Sequence, residues 1–138
     1  MKISFDSIKP VYLQIAEAIE DDIIYGKLKE GDASYSQLMI AKELNVNPAT
    51  AGKGINVLVQ KGILEKQRGL SMTVVKGALE MILLERRNQS FHELVEQLVQ
   101  AAEKIHLSEN EVIQLIQKYY MERSNDHEYN DDSSKSTK

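Results

Sequence analysis

Apolar residues recur at helical spacing three times in the first half of the chain. Val11, Ile15, Ala18, Ile19 and Ile23 define one side of a helix over 11–26, with Glu17, Glu20 and Asp21 assigned to the wet side. Pro10 sits where a first helical turn tolerates it, and Gly26 supplies the stop. After the turn GKLKEGD, Ser34 with Gln37 reads as a capping box for a short second helix. Its Leu38, Ala41 and Leu44 face one way, and it ends near Asn45. The run NVNP then restarts the chain. Asn47 caps and Pro48 opens a third helix that reaches Lys61, with Ala51, Ile55, Leu58 and Val59 inward, and Gly62 ends it.

The pattern then changes period. ILEK (63–66) and MTVV (72–75) are short strand-like runs around the glycine-containing loop QRGLS, and the alternation Ile63/Glu65, Leu64/Lys66 predicts one wet face. From Gly77 onward it is helical again. A helix over 78–88 carries Leu79, Ile82 and Leu83. Ser90 with Glu93 reads as the cap of a second helix bearing Leu94, Val95, Leu98, Val99 and Ala102. Ser108 with Glu111 caps a third bearing Val112, Ile113, Leu115, Ile116, Tyr119 and Tyr120. The predicted fold is therefore mainly α with a small β-hairpin. Residues 1–76 form a winged helix-turn-helix, 77–123 a helical dimerisation region, and 124–138, rich in Ser, Asn and Asp, a disordered tail. Three helices followed by a hairpin is the plan in which the third helix enters the DNA major groove and the hairpin touches the flanking backbone or minor groove.

Charge supports that plan only when read locally. The 138 residues carry a net charge of −4, yet 45–76 hold Lys53, Lys61, Lys66, Arg68 and Lys76 against Glu65 alone. Such clustering suits a nucleic-acid footprint, and equally a solvated face. The absence of cysteine excludes disulfides and thiolate metal sites and fits a reducing, cytoplasmic setting. No leader pattern or apolar run long enough for a membrane is expected. His92, His106 and His127 are scattered, so no metal site or cofactor is expected, and no nucleophile–base pair suggests an enzyme.

Within the footprint, Asn47, Pro48, Ala49 and Thr50 open the recognition helix, where backbone N–H groups and short polar side chains meet phosphate or base edges. Lys53, one turn on, is a candidate for phosphate or guanine. Gly52 and Gly54 each cost roughly 1 kcal/mol in a helix interior. Close approach to DNA or close helix packing would offset that, with Gly52 nearer the DNA face and Gly54 nearer the packed side. Gln67, Arg68 and Gly69 form the wing tip, Arg68 suiting a narrow minor groove. Ser36 and Tyr35 are candidates for phosphate, Tyr35 equally for packing. Leu79, Leu83, Leu94, Leu98, Val112, Ile116 and Tyr120 exceed what three short helices bury among themselves and predict a homodimer, hence a palindromic operator DNA.

PVYLQIAEAIEDDIIYGKLKEGD (10–32) and LMIAKELNVNPATAGKGINVLVQKGILEKQRG (38–69) resemble the opening helix, helix-turn-helix and wing of the GntR family of bacterial transcription regulators. VNPAT (46–50) and the short helical stretch after the wing resemble its YtrA-type branch. The resemblance covers residues 10 to 75. It implies a dimeric repressor, often of an operon encoding an ABC transporter. The chain departs from the family at Ser34-Tyr35-Ser36 (usually Leu-Pro-Ser), Leu38 (usually arginine), Lys53 (arginine), Gly54 (alanine) and Ser71 (the second glycine of the wing). Those departures keep open an alternative, a winged-helix protein-interaction module with weakened DNA binding. No small-molecule effector is readable from the sequence.

Overall fold

A computed structural model describes residues 1–138 except Arg68, Leu70, Thr137 and Lys138, and gives the backbone alone for 127–136. Two compact units result, Met1–Ser90 and Phe91–Lys138. The first begins with helix α1 (Val11–Ile24), α2 (Gln37–Leu44) and α3 (Pro48–Gln60). Strands β1 (Leu64–Lys66) and β2 (Met72–Val74) and helix α4 (Ala78–Glu85) follow, and a π-helical turn (Arg86–Ser90) closes the unit. The second unit holds α5 (Phe91–Lys104) and α6 (Glu109–Ser136).

Ile15, Ile19, Ile40, Leu58, Ile63, Leu64 and Ile82 are fully buried and unite α1, α2, α3, the hairpin and α4 around one core. Each such side chain contributes about 1.5–3 kcal/mol of transfer free energy. The two prolines of the chain both precede or open helices: Pro10 at the N-terminus of α1 and Pro48 as the first residue of α3. Gln14 ties down the segment before α1. Its amide accepts from Ser4 N at 2.7 Å and donates to Ser4 O at 2.8 Å and Lys9 O at 2.9 Å.

Several expectations are corrected. Ser36, not Ser34, caps α2, its Oγ accepting from Met39 N at 3.0 Å. Ser34 is instead buried with its hydroxyl unpartnered, because its backbone N–H donates to Met72 O at 2.7 Å and draws it against β2. Leu38 does not join the core: Ile40 and Ala41 do, and Leu38 is 73% exposed. Glu20 is not on the wet side of α1, because the buried stripe is wider than the apolar residues alone suggest and takes in both Ala16 and Glu20. Ile63 and Leu64 are both buried, so β1 lacks the alternation read from its sequence. The reason lies in β2, which is flanked on both sides. It pairs antiparallel with β1 (Leu64↔Val74, Glu65↔Thr73, Lys66↔Met72) and bridges Ala33 through Thr73. Gly31 N donates to Val74 O at 2.8 Å and Val74 N to Asp32 O at 2.9 Å.

Ser90 ends the π turn instead of capping a new helix, and α5 begins at the next residue. Ser108 does cap α6, accepting from Glu111 N at 3.2 Å. The helical backbone of α6 continues to Ser136 through the segment whose composition reads as unstructured, since no proline or glycine follows Gly77 to break it.

Beneath the π turn lies an ion cluster. Glu20 is 3% exposed and faces Arg86 at 3.4 Å and Lys61 at 3.7 Å. Arg86 also pairs with Asp21 at 2.7 Å, and Lys61 with Glu85 at 3.0 Å. Burial raises the Glu20 carboxyl above its ordinary value, opposed by the two cations. The cluster joins α1, the end of α3 and the residues after α4.

Candidate nucleic-acid interface

The N-terminus of α3 is built as its sequence predicts. Asn47 is extended and accepts from Ala49 N through Oδ1 at 2.8 Å, and Pro48 occupies the first helical position. Ala51, Gly54, Ile55 and Leu58 point into the core, leaving Asn47, Pro48, Ala49, Lys53 and Asn56 exposed and Thr50 half-buried. This outward face is capped, cationic and made of short side chains. Lys53 does not extend freely. Its Nζ lies 4.1 Å from the ring centroid of Tyr12, a cation–π contact worth about 0.5–1 kcal/mol at an exposed site.

The two helix-interior glycines have different reasons. A Cβ on Gly54 would meet Ile15 Cγ2 and Tyr12 O at 2.9 Å, so Gly54 lets α1 and α3 pack backbone against side chain. The nearest atoms to a Cβ on Gly52 would be those of the Gln37 amide, at 2.9–3.0 Å. Gln37 crosses from α2 and donates through Nε2 to Pro48 O at 2.7 Å.

Ser36 Oγ accepts the α2 cap hydrogen bond, an arrangement that uses its oxygen and not its O–H donor. Tyr35 is half-buried and its hydroxyl donates to Asp22 Oδ2. Burial, and then that hydrogen bond, push the phenol up to about 12. Tyr35 is thereby tied to Asp22 of α1. Gln67 and Gly69 are exposed at the wing tip, Gly69 at φ 75°, a left-handed conformation that suits glycine. Arg68 lies outside the described residues. A recess of about 270 Å³ between α2, α3 and the wing is lined by Ser36, Gln37, Gly52, Asn56, Lys66 and Ser71, among others. Sequence reading missed Gln37 and Asn56 at this face. The signal that could have found Gln37 is Gly52 itself, an unfilled helix position that needs a neighbour.

The residues read as dimerisation contacts fall in both units. Leu79 and Leu83 are exposed on α4, whose inward residues are Ala78 and Ile82. Leu94 is exposed on α5. Leu98, Val112, Ile116 and Tyr120 come together around an apolar recess of about 510 Å³ between α5 and α6.

A helix-turn-helix whose recognition helix is capped and outward-facing, backed by a short antiparallel wing, defines a winged-helix DNA-binding protein. No family model matches the chain. Relatives do. YtrA from Sulfolobus acidocaldarius, a GntR-family transcription factor, is 31% identical, with 88% of this chain and 97% of that one covered and a TM-score of 0.50. A GntR family transcriptional regulator from Listeria monocytogenes superposes with a TM-score of 0.67 at 27% identity, covering 83% of this chain and 98% of that one. The uncharacterized HTH-type transcriptional regulator YhcF of Bacillus subtilis is 29% identical over 119 residues, which is 86% of this chain and 97% of YhcF. The chain belongs to the GntR family and is a DNA-binding transcriptional regulator. Among its described residues, no helix is long and apolar enough to cross a membrane.

Proposed function

We propose that this regulator is a homodimeric repressor that reads a palindromic operator through α3 and the wing. The observation that carries the reading is the outward face of α3: a capped N-terminus followed by Lys53, within residues 45–76, where five basic side chains stand against one acidic. An exposed helix N-terminus of this kind attracts phosphate, and Lys53, held over the Tyr12 ring, adds a cation one turn further along. Lys66 and the wing supply further positive charge toward the backbone.

Dimerisation is supported by the second unit. Its described residues bury Ala102 alone among their apolar side chains, while Leu94, Leu98, Ile113, Ile116 and Tyr120 stay exposed. Such a helix pair lacks a core of its own, and a second copy would bury that surface at about 25 cal/mol per Å². A two-fold dimer then asks for half-sites about one DNA turn, or a related interval, apart. Repression of an operon, with an ABC transporter as its product, is what likeness to the YtrA-type branch implies.

Binding of the purified protein to its own promoter fragment, against a scrambled fragment and across a salt titration, tests the reading. The expected result is preferential binding with a steep salt dependence, and Lys53→Ala lowering affinity on all sequences and the salt slope by about one. Equal binding to both fragments at moderate salt would overturn it. An intact dimer without DNA binding even at low salt would favour the protein-interaction module.

A further inference from the structure

We propose that Gln37, a residue of α2, is a base-reading residue of the recognition surface and that Gly52 exists to seat it. The inference rests on the reading of α3 as the major-groove helix.

The amide of Gln37 lies flat on α3 where residue 52 has no side chain. Its carboxamide atoms are 2.9–3.0 Å from the position a Cβ would take there. Nε2 donates to Pro48 O at 2.7 Å. A carbonyl only accepts, so this contact fixes which end of the amide is nitrogen. One N–H of Nε2 is thereby used, and its second N–H and Oε1 make no side-chain hydrogen bond among the described residues. Gln37 is exposed, and the recess it lines opens between α2, α3 and the wing beside Asn56 and Lys66.

A carboxamide presenting one donor and one acceptor side by side is the complement of adenine in the major groove, which offers N7 as acceptor and the N6 amino group as donor. The remaining N–H of Gln37 would donate to N7 while Oε1 accepts from N6. The hydrogen bond to Pro48 restrains the amide before DNA arrives, which reduces the ordering cost of the contact. The α3 residues around it are short: Pro48, Ala49 and Gly52 offer no polar side-chain group, so a side chain from the neighbouring helix takes the reading role at this point.

Operator selection from a random duplex library, run with wild type, Gln37→Ala, Gln37→Glu and Gly52→Ala, tests this. Wild type is expected to select adenine at one position in each half-site, by roughly 5- to 150-fold over other bases. Gln37→Ala is expected to lose preference there and keep it elsewhere. Gly52→Ala, whose new methyl displaces the amide, is expected to give the same local loss. Gln37→Glu, with acceptors only, is expected to replace adenine by cytosine. Should Gln37→Ala not fold, the other two variants carry the same readout. If all variants select the wild-type sequence, Gln37 does not read a base. If Gln37→Ala weakens every position equally, it only positions α3. Both results overturn the proposal and leave operator reading intact, whereas wild type selecting no sequence overturns both.

Discussion

Gly54 and Gly52 sit two residues apart in one helix and respond to opposite constraints. Gly54→Ala forces a methyl against Tyr12 O and the branched Ile15 side chain, both at 2.9 Å, where neither backbone nor core yields cheaply. A loss of about 1–3 kcal/mol in chemical denaturation is expected, despite the gain in helix propensity. The nearest atoms to the new methyl of Gly52→Ala are those at the flexible end of an exposed glutamine, so its stability should be unchanged or raised by up to about 1 kcal/mol. Finding the two equally destabilised would contradict these separate roles. Tyr35→Phe distinguishes packing from DNA contact for a residue the sequence left open. Loss of the hydrogen bond to Asp22 should cost about 0.5–1.5 kcal/mol of stability while operator affinity, measured by anisotropy, stays within twofold.

Among the elements, the junction of α1, α3 and the π turn depends on charge that the hydrophobic pattern conceals. Glu20 is inside the core stripe of α1, where burial raises its carboxyl above the ordinary value and Lys61 and Arg86 oppose that rise. Arg86→Ala leaves that carboxylate buried with only Lys61, at 3.7 Å, and a loss of about 3 kcal/mol or more at pH 7 is expected. The sign of its pH dependence follows from the raised Glu20 value. A carboxyl held above its unfolded value favours the protonated folded state, so its burden is smallest below the ordinary 4.5 and grows as pH rises through the folded value. Without Arg86 the value rises further. The deficit of Arg86→Ala against wild type should therefore shrink as pH falls from 7 towards 4.5, read from urea midpoints at each pH. A deficit independent of pH would mean that Arg86 acts through packing instead. The same element scale explains β1. Its buried residue Leu64, with Ile63 just before it, packs into the core while the segment 31–34 bonds to the far side of β2.

For the whole molecule, the surface through which we propose dimerisation is the helix pair α5–α6. Its apolar residues line a recess that one chain leaves open, and sedimentation of wild type is expected to show a dimer at micromolar concentration. Ile116→Asp, a charge placed in that recess, should shift the equilibrium to monomer by tenfold or more in dissociation constant while the Met1–Ser90 unit keeps its fold. Operator affinity should fall with it, because one half-site then binds without its neighbour. A monomeric wild type with undiminished operator affinity would refute this coupling.

Much of this protein was legible from its sequence. Element order, the Asn47–Pro48 start of α3, the Ser108 cap, the wing and the positive stretch are local, written in periods of 3.6 and 2 and in residues that cap or break helices. Only the tertiary structure decided where the exceptions lie. Glu20 is buried because Arg86 and Lys61 arrive from elements far along the chain, Ser34 because β2 takes its backbone, and Gln37 meets Gly52 because α2 crosses α3 at that turn. Each depends on a partner at long sequence separation, and no periodicity within one element can encode that.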